Sequence, residues 1–259
     1  MAIHPTAIVD SGADIHDSVE IGPYTVIDGN VKIGEGCRIG SHVRIYAHTT
    51  IGKNNRIDAH AILGADGQDL GFDSAQPTGL LIGDNNVFRE QTNIHRATKL
   101  DRPTTIGSNN YLMGGFHVGH DCVVGDQNIL VHGSVLAGHV HIGNRVLVSG
   151  LVAIHQFCNI GDYAMVAGCA KIVKDVPPFA TADGNPATII GQNVVGMKRA
   201  GSSPEVRKQI KAAYDIIYHQ KMNTSQALKH LKDQGSQPPE VQMIMDFFAN
   251  SKRGVTDHR

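Results

Sequence analysis

The stretch Ile27-Asp28-Gly29-Asn30-Val31-Lys32-Ile33-Gly34-Glu35-Gly36-Cys37-Arg38-Ile39-Gly40-Ser41-His42-Val43-Arg44-Ile45 carries a large aliphatic residue at every sixth position. Towards the N-terminus the beat continues through Ile21, Ile15 and Val9 to Ile3, and forwards through Ile51 and Ile57 to Leu63. It slips by one and resumes at Ile82, then runs by sixes through Phe88, Ile94, Leu100, Ile106, Leu112, Val118 and onward to Ile172. All 27 positions are large and apolar, a run that chance does not produce. Glycine often follows, as at Gly22, Gly34, Gly107 and Gly125, and a small or β-branched residue such as Ala7, Thr25 or Cys37 stands four places on.

A period of six matches neither an amphipathic helix nor a half-buried strand. It matches a parallel β-helix in which each hexad forms one short strand and a corner. Three hexads close an 18-residue coil, so the repeat predicts nine coils in an all-β prism roughly 43 Å tall, at ~4.8 Å per coil. Glycine and asparagine are expected at the corners, where positive φ is needed. Two places interrupt the rhythm: an excursion over residues 64–81, containing Gly67, Gly71 and Pro77, and a less regular stretch around Lys99–Pro103. A loop leaving a rigid prism is where a binding site is expected.

The composition agrees. There are 29 glycines, no tryptophan and only 13 aromatic residues among 259, so the core must be filled by aliphatic and small side chains. There is no Gly-X-Y period, which excludes collagen, and the regular aliphatics exclude disorder. No apolar run approaches the length of a membrane span. Met1 to Val9 has no basic segment followed by an apolar one, so no signal peptide is expected. Cys37, Cys122, Cys158 and Cys169 show neither CxxC nor zinc-type spacing; they are expected to be reduced core residues of a cytoplasmic protein. With 23 basic and 24 acidic residues, the near-neutral total argues against a nucleic-acid binder.

The repeat stops at Pro177-Pro178. Ser203-Pro204 reads as an N-cap with proline at the first helical position, Asn223 with Gln226 as a capping box, and Pro239-Glu240 as a third helix start. Residues 1–189 are therefore expected to form the prism and 190–259 a C-terminal helical domain. The latter holds 11 basic and 6 acidic residues, against a net −6 for the former. A basic appendage on an acidic prism suits a negatively charged partner, and equally a solvated surface.

Stacking at 18 turns the sequence into columns. His120, Gly138 and Gln156 share one; Asp121, His139 and Phe157 the next; Gly119, Ala137 and His155 the one before, with His117 close by. A histidine beside an aspartate suits a general base, and glycine leaves a backbone N–H open to an oxyanion. No serine or cysteine stands among them as a nucleophile, which favours direct transfer. The same spacing also fits a metal site of His117, His120 and His139, or solvated corner residues. His16, His42, His48 and His60 read as solvated.

Phe116-His117-Val118-Gly119-His120-Asp121-Cys122, Leu136-Ala137-Gly138-His139-Val140 and Ile154-His155-Gln156-Phe157-Cys158 strongly resemble the UDP-N-acetylglucosamine O-acyltransferases of lipid A biosynthesis. Gln68-Asp69-Leu70, Ile94-His95-Arg96, Asp175-Val176-Pro177-Pro178 and Gly196-Met197-Lys198-Arg199 extend the match along almost the whole chain. The resemblance implies a homotrimer of left-handed β-helices with active sites between prisms. An (R)-3-hydroxyacyl group would pass from acyl carrier protein to the sugar's 3-position, with no metal or bound cofactor. His120 would be the base, Asp121 its orienting partner and the Gly138 N–H the oxyanion donor. Asp69 would bind the sugar with Gln68, His117, His139, His155 and Gln156; Arg199 would meet the nucleotide phosphates; the basic helices would receive the carrier protein.

Gly168 and Lys171 lie where the family measures the acyl chain, and the length of Lys171 implies a chain shorter than the family's longest. Two positions depart from the pattern: Gly71, where a basic residue often stands, and Ala200, where a second arginine often does. The acceptor could be a 3-hydroxyl or a 3-amine. Alternatives are another hexapeptide acyltransferase, N-acylating or coenzyme A-dependent, a metal-dependent hexapeptide enzyme, and a non-catalytic scaffold. The lipid A N-acyltransferases normally carry a further N-terminal domain, whereas here the repeat starts at Ile3.

Overall fold

The computed structural model describes residues 2–259; residue 1, where the first segment is drawn to begin, lies outside them. With the exception of the one at Leu100, each hexad supplies a strand of two to four residues whose side chains alternate in direction. Glu20–Ile21, Lys32–Ile33 and Arg38–Ile39 each expose the first side chain and bury the second. The strands stack in parallel, Ile21 on Ile39 and Ile39 on Ile57. The chain passes in turn through sheet A, which starts at Ala2–Ile3, sheet B, from Ile8–Val9, and sheet C, from Asp14–Ile15. Together they close a left-handed parallel β-helix followed by C-terminal helices.

The interior is aliphatic, and Phe88 and Phe116 are its largest fully buried side chains. Burying one such side chain contributes about 1.5–3 kcal/mol, repeated at every rung. The first rung is the exception: Ile3 is 41% exposed.

Both interruptions are insertions. Ile57 pairs with Phe88, 31 residues on, across the excursion, which is two hexads plus one residue and so slips the phase. Ile82 pairs with Ile106, 24 residues on. That second insertion is six residues long, equal to the period, so the beat survives it undisturbed. Leu100 was expected to be a core rung. It lies instead between strands Asn93–His95 and Thr104–Ile106 and is 66% exposed.

The corners also differ from expectation. Asn30, Asn54, Asn85 and Asn109 hold positive φ as expected, but many such positions are neither glycine nor asparagine: Asp121, His139 and Phe157 lie at φ 59, 62 and 65 on the corner from sheet B to sheet C. Glycine abounds for another reason. A Cβ at Gly107 would lie 2.7 Å from the Gly125 carbonyl oxygen in the next coil, so the column needs glycine for close approach. Inside the prism, Asn55, Asn86, Asn110 and Asn128 form a buried ladder. The Asn110 N–H donates to Asn86 Oδ1 at 2.8 Å, its Nδ2 to Gly125 O at 2.9 Å, and its Oδ1 accepts from the Asn128 N–H at 2.9 Å. Cys37, Cys122 and Cys158 are buried, but Cys169 is exposed, placed by the chain at a positive-φ corner.

Beyond the coils an antiparallel hairpin, Ala180–Gly184 with Ala187–Gln192, extends sheet A. Helices α1 (Val194–Arg199), α2 (Pro204–His219), α3 (Thr224–Asp233) and α4 (Pro239–Asn250) follow. Ser203 accepts from the Val206 N–H with Pro204 in the first turn, and Asn223 and Gln226 complete a capping box. Helix α4 buries Val241, Ile244, Met245 and Phe248. The hairpin and α1 have no counterpart in the sequence reading.

Candidate active site

The insertions and the B-to-C corner build one site. At its centre His120 Nδ1 lies 2.7 Å from Asp121 Oδ2. Asp121 is 3% exposed, and Thr98, in the second insertion, donates to it from its N–H at 3.1 Å and from its hydroxyl at 2.6 Å. Burial pushes the Asp121 carboxyl up, but the bonds from Thr98 and His120 outweigh it and hold it below its ordinary value. The carboxylate can only accept, so Nδ1 of His120 carries a proton and in the neutral ring Nε2 presents the lone pair.

That nitrogen sits over Gly138. A Cβ there would lie 2.6 Å from His120 Nε2 and 2.5 Å from Cε1. Among the described residues, the Gly138 N–H has no backbone acceptor. His139 packs edge-on against the His120 ring and stacks on Phe157 at 4.6 Å. Burial lowers the pKa of His139, with the Asp121 charge opposing. His117 turns towards His95, with ring centroids 5.1 Å apart. Burial, then the neighbouring His95, brings His117 down to about 4.

The site has one place where a metal could find donors close together, among His120, Asp121 and His139, within 4.8 Å of one another. His117 is not in that group, so the alternative of a metal held by His117, His120 and His139 finds no such cluster. Both Asp121 oxygens already accept hydrogen bonds, an arrangement suited to orienting a histidine.

The excursion folds back onto this centre. Gly67 is buried, and a Cβ there would meet the Thr98 methyl at 2.6 Å and His120 Cβ at 3.2 Å. Gln68 and Asp69 follow it and are exposed, with Asp69 Oδ1 accepting from the Gly71 N–H at 2.7 Å. The loop is held by Arg96, whose side chain is 8% exposed. Its guanidinium donates to Asp66 at 2.7 and 3.0 Å and to the carbonyls of Ser74, Gln76 and Thr78. Arg96 and Thr98 carry no periodic signal. Arg96 stands in the Ile94-His95-Arg96 stretch of the family resemblance, and Thr98 is marked only by its place beside the irregular hexads.

His155 and Gln156 are exposed two coils beyond Gly119 and His120. Lys171 lies outward on sheet B, in register with Ala153, Val135 and His117. Gly168 is on the A-to-B corner against the Gly150 carbonyl. Arg199 ends α1, which is fastened to the C-to-A corner, so within one chain it stands at a different corner from His120.

Comparison with known proteins gives the family. The family model "Udp N-acetylglucosamine O-acyltransferase; Domain 2" matches residues 175–256, and "Bacterial transferase hexapeptide (six repeats)" matches 12–47. The chain is 45% identical over 256 residues to an acyl-[acyl-carrier-protein]–UDP-N-acetylglucosamine O-acyltransferase of Pseudomonas putida (strain GB-1), covering 98% of this chain and 99% of that protein. It is 46% identical over 254 residues to one of Thiobacillus denitrificans, covering 98% of each. The crystal structure of the UDP-N-acetylglucosamine O-acyltransferase of Moraxella catarrhalis RH4 superposes with a TM-score of 0.96 at 44% identity, over 99% of this chain and 100% of that one. Such likeness, sustained through coils, insertions and helices alike, makes this chain an acyltransferase belonging to the UDP-N-acetylglucosamine O-acyltransferase family.

Proposed function

We propose that the chain transfers an (R)-3-hydroxyacyl group from acyl carrier protein to the 3-position of UDP-N-acetylglucosamine or its 3-amino analogue, the first step of lipid A biosynthesis. The observation that carries the reading is His120 packed against Gly138, where a Cβ would lie 2.6 Å from Nε2, with Asp121 behind it, 2.7 Å from Nδ1. His120 takes the acceptor's proton as its oxygen or nitrogen attacks the thioester carbonyl. The Gly138 N–H receives the oxyanion, and the proton then passes to the departing thiolate. The excursion, with Gln68 and Asp69, covers the sugar together with His117, His139, His155 and Gln156. No metal or cofactor enters this reaction.

The outward strip from His117 through Val135 and Ala153 to Lys171 spans three coils, roughly 14 Å, and offers an apolar track for the acyl chain. Gly168 and Lys171 close it. Trimers place Arg199 of a neighbour beside the nucleotide, and the basic helices receive the acidic carrier. No helix is long and apolar enough to cross a membrane, and a cytoplasmic location fits the substrates.

The test is transfer from 3-hydroxyacyl carrier protein of graded chain length to both acceptors. His120→Ala is expected to lower kcat roughly 10²–10⁴-fold. Retained activity removes His120 as base. Lys171→Ala is expected to lengthen the preferred chain; a wild-type preference for the longest donor rejects the ruler.

A further inference from the structure

The last residues fold back along the end of the prism. Ser251 Oγ donates to the buried Asp175 carboxylate at 2.7 Å, the Asp175 N–H to Gly254 O at 2.9 Å, and the Thr256 N–H to Asp175 O at 2.8 Å. Lys174 pairs with Asp257 at 2.9 Å. This strap fixes Arg253. Its Nε donates to Val173 O at 2.8 Å, which leaves Nη2 at 2.9 Å from His155 Nδ1.

His155 Nδ1 has a second neighbour, the Gln156 carbonyl oxygen, at 3.2 Å. The two ask for opposite tautomers. A guanidinium only donates, so Nδ1 must be bare to meet Arg253; a carbonyl only accepts, so Nδ1 must be protonated to meet Gln156. The contact to Arg253 is shorter and carries charge, which makes it the stronger of the two.

We propose that Arg253 is a positioning residue that fixes the proton of His155 on Nε2, so that the outward edge of the ring is a hydrogen-bond donor to an oxygen of a bound substrate. Without Arg253 the ring proton moves to Nδ1 and the Gln156 carbonyl, and the outward nitrogen becomes an acceptor facing an acceptor. Residues 98 apart in sequence thus set one hydrogen-bond polarity. The proposal rests on the reading of His155 as a substrate contact. The oxygen could belong to the UDP-sugar or to the acyl donor.

The experiment uses the full chain labelled with 15N-histidine, the His155 signals being those missing from His155→Gln. Wild type is expected to show His155 protonated at Nε2, and Arg253→Ala at Nδ1. In the same variant the KM of one substrate is expected to rise roughly tenfold, with kcat within about twofold of wild type. Varying the UDP-sugar and the acyl carrier protein separately identifies which one. Arg253→Lys, which keeps a donor, is expected to recover part of the loss. Lys174→Ala removes only the ion pair to Asp257, leaving the strap's bonds to Asp175 and the Arg253–His155 contact in place, and is expected to leave both readouts unchanged. A His155 tautomer unaltered in Arg253→Ala, or protonated at Nδ1 in wild type, overturns the proposal. Unchanged KM values for both substrates in His155→Ala overturn instead the reading of His155 as a substrate contact, whatever the tautomer does.

Discussion

Gly138 shows how little room the site allows at the scale of one residue. The ring of His120 occupies the space a Cβ would fill, at 2.5–2.6 Å. Gly138→Ala must push the ring off its nitrogen-to-Asp121 line while leaving the surrounding coils paired. A displacement of about 1 Å costs on the order of 10² in rate. We expect kcat to fall by roughly that factor, with the unfolding midpoint little changed; a variant with wild-type kcat removes the proposed contact between base and oxyanion donor.

His117 yields a second residue-scale expectation. Its pKa is about 4 in the folded chain against an ordinary 6.5, so between those values the unfolded chain binds more protons. Stability is therefore full above about pH 6.5 and declines as the pH falls towards 4. Urea midpoints measured across that window should drop, and more shallowly in His117→Asn. The columns holding these residues were legible because stacking at 18 is arithmetic. Thr98, Gly67 and Arg96 were not, because they arrive on insertions whose path the period does not encode.

At the scale of elements, the hexads account for the strands but not for everything they hold. Leu100 kept the beat because its insertion happened to be one period long. The asparagine ladder was hidden for a related reason: each inward asparagine follows another polar corner residue, such as Asn54 before Asn55 and Asn109 before Asn110, and the pair reads as a turn. Inside, those amides act as rungs that join coils. Asn110→Ala would strand the Gly125 carbonyl and the Asn128 N–H in a dry interior, at about 1–3 kcal/mol for each group. Because each coil touches only its neighbours, loss in the middle of the stack weakens both halves. Urea unfolding should show a lowered midpoint, whereas an outward neighbour such as Asn109→Ala should cost less. Equal losses at the two positions argue against the ladder.

At the scale of the whole molecule, the near-zero net charge conceals an acidic prism and a basic helical end, and the triangle conceals a separation. His120, the proposed base, stands on the B-to-C corner. Helix α1, which carries Arg199, is tied to the C-to-A corner by Asn193, which donates from Nδ2 to Tyr163 O at 2.8 Å and from its N–H to Phe179 O at 2.7 Å. A rigid prism points its corners in different directions, so in the proposed cyclic trimer one subunit's Arg199 and another's His120 would complete the site. This makes mixing informative. Trimers of His120→Ala alone or of Arg199→Ala alone should each be impaired at every site. Refolded together in equal amounts, a site is intact when its histidine comes from an Arg199→Ala subunit and its arginine from a His120→Ala subunit, which is about a quarter of interfaces. Recovery of activity to about that share identifies sites shared between subunits. Were the two residues to serve the same chain, no mixed trimer could contain an intact site, and activity would stay at the level of the separate variants.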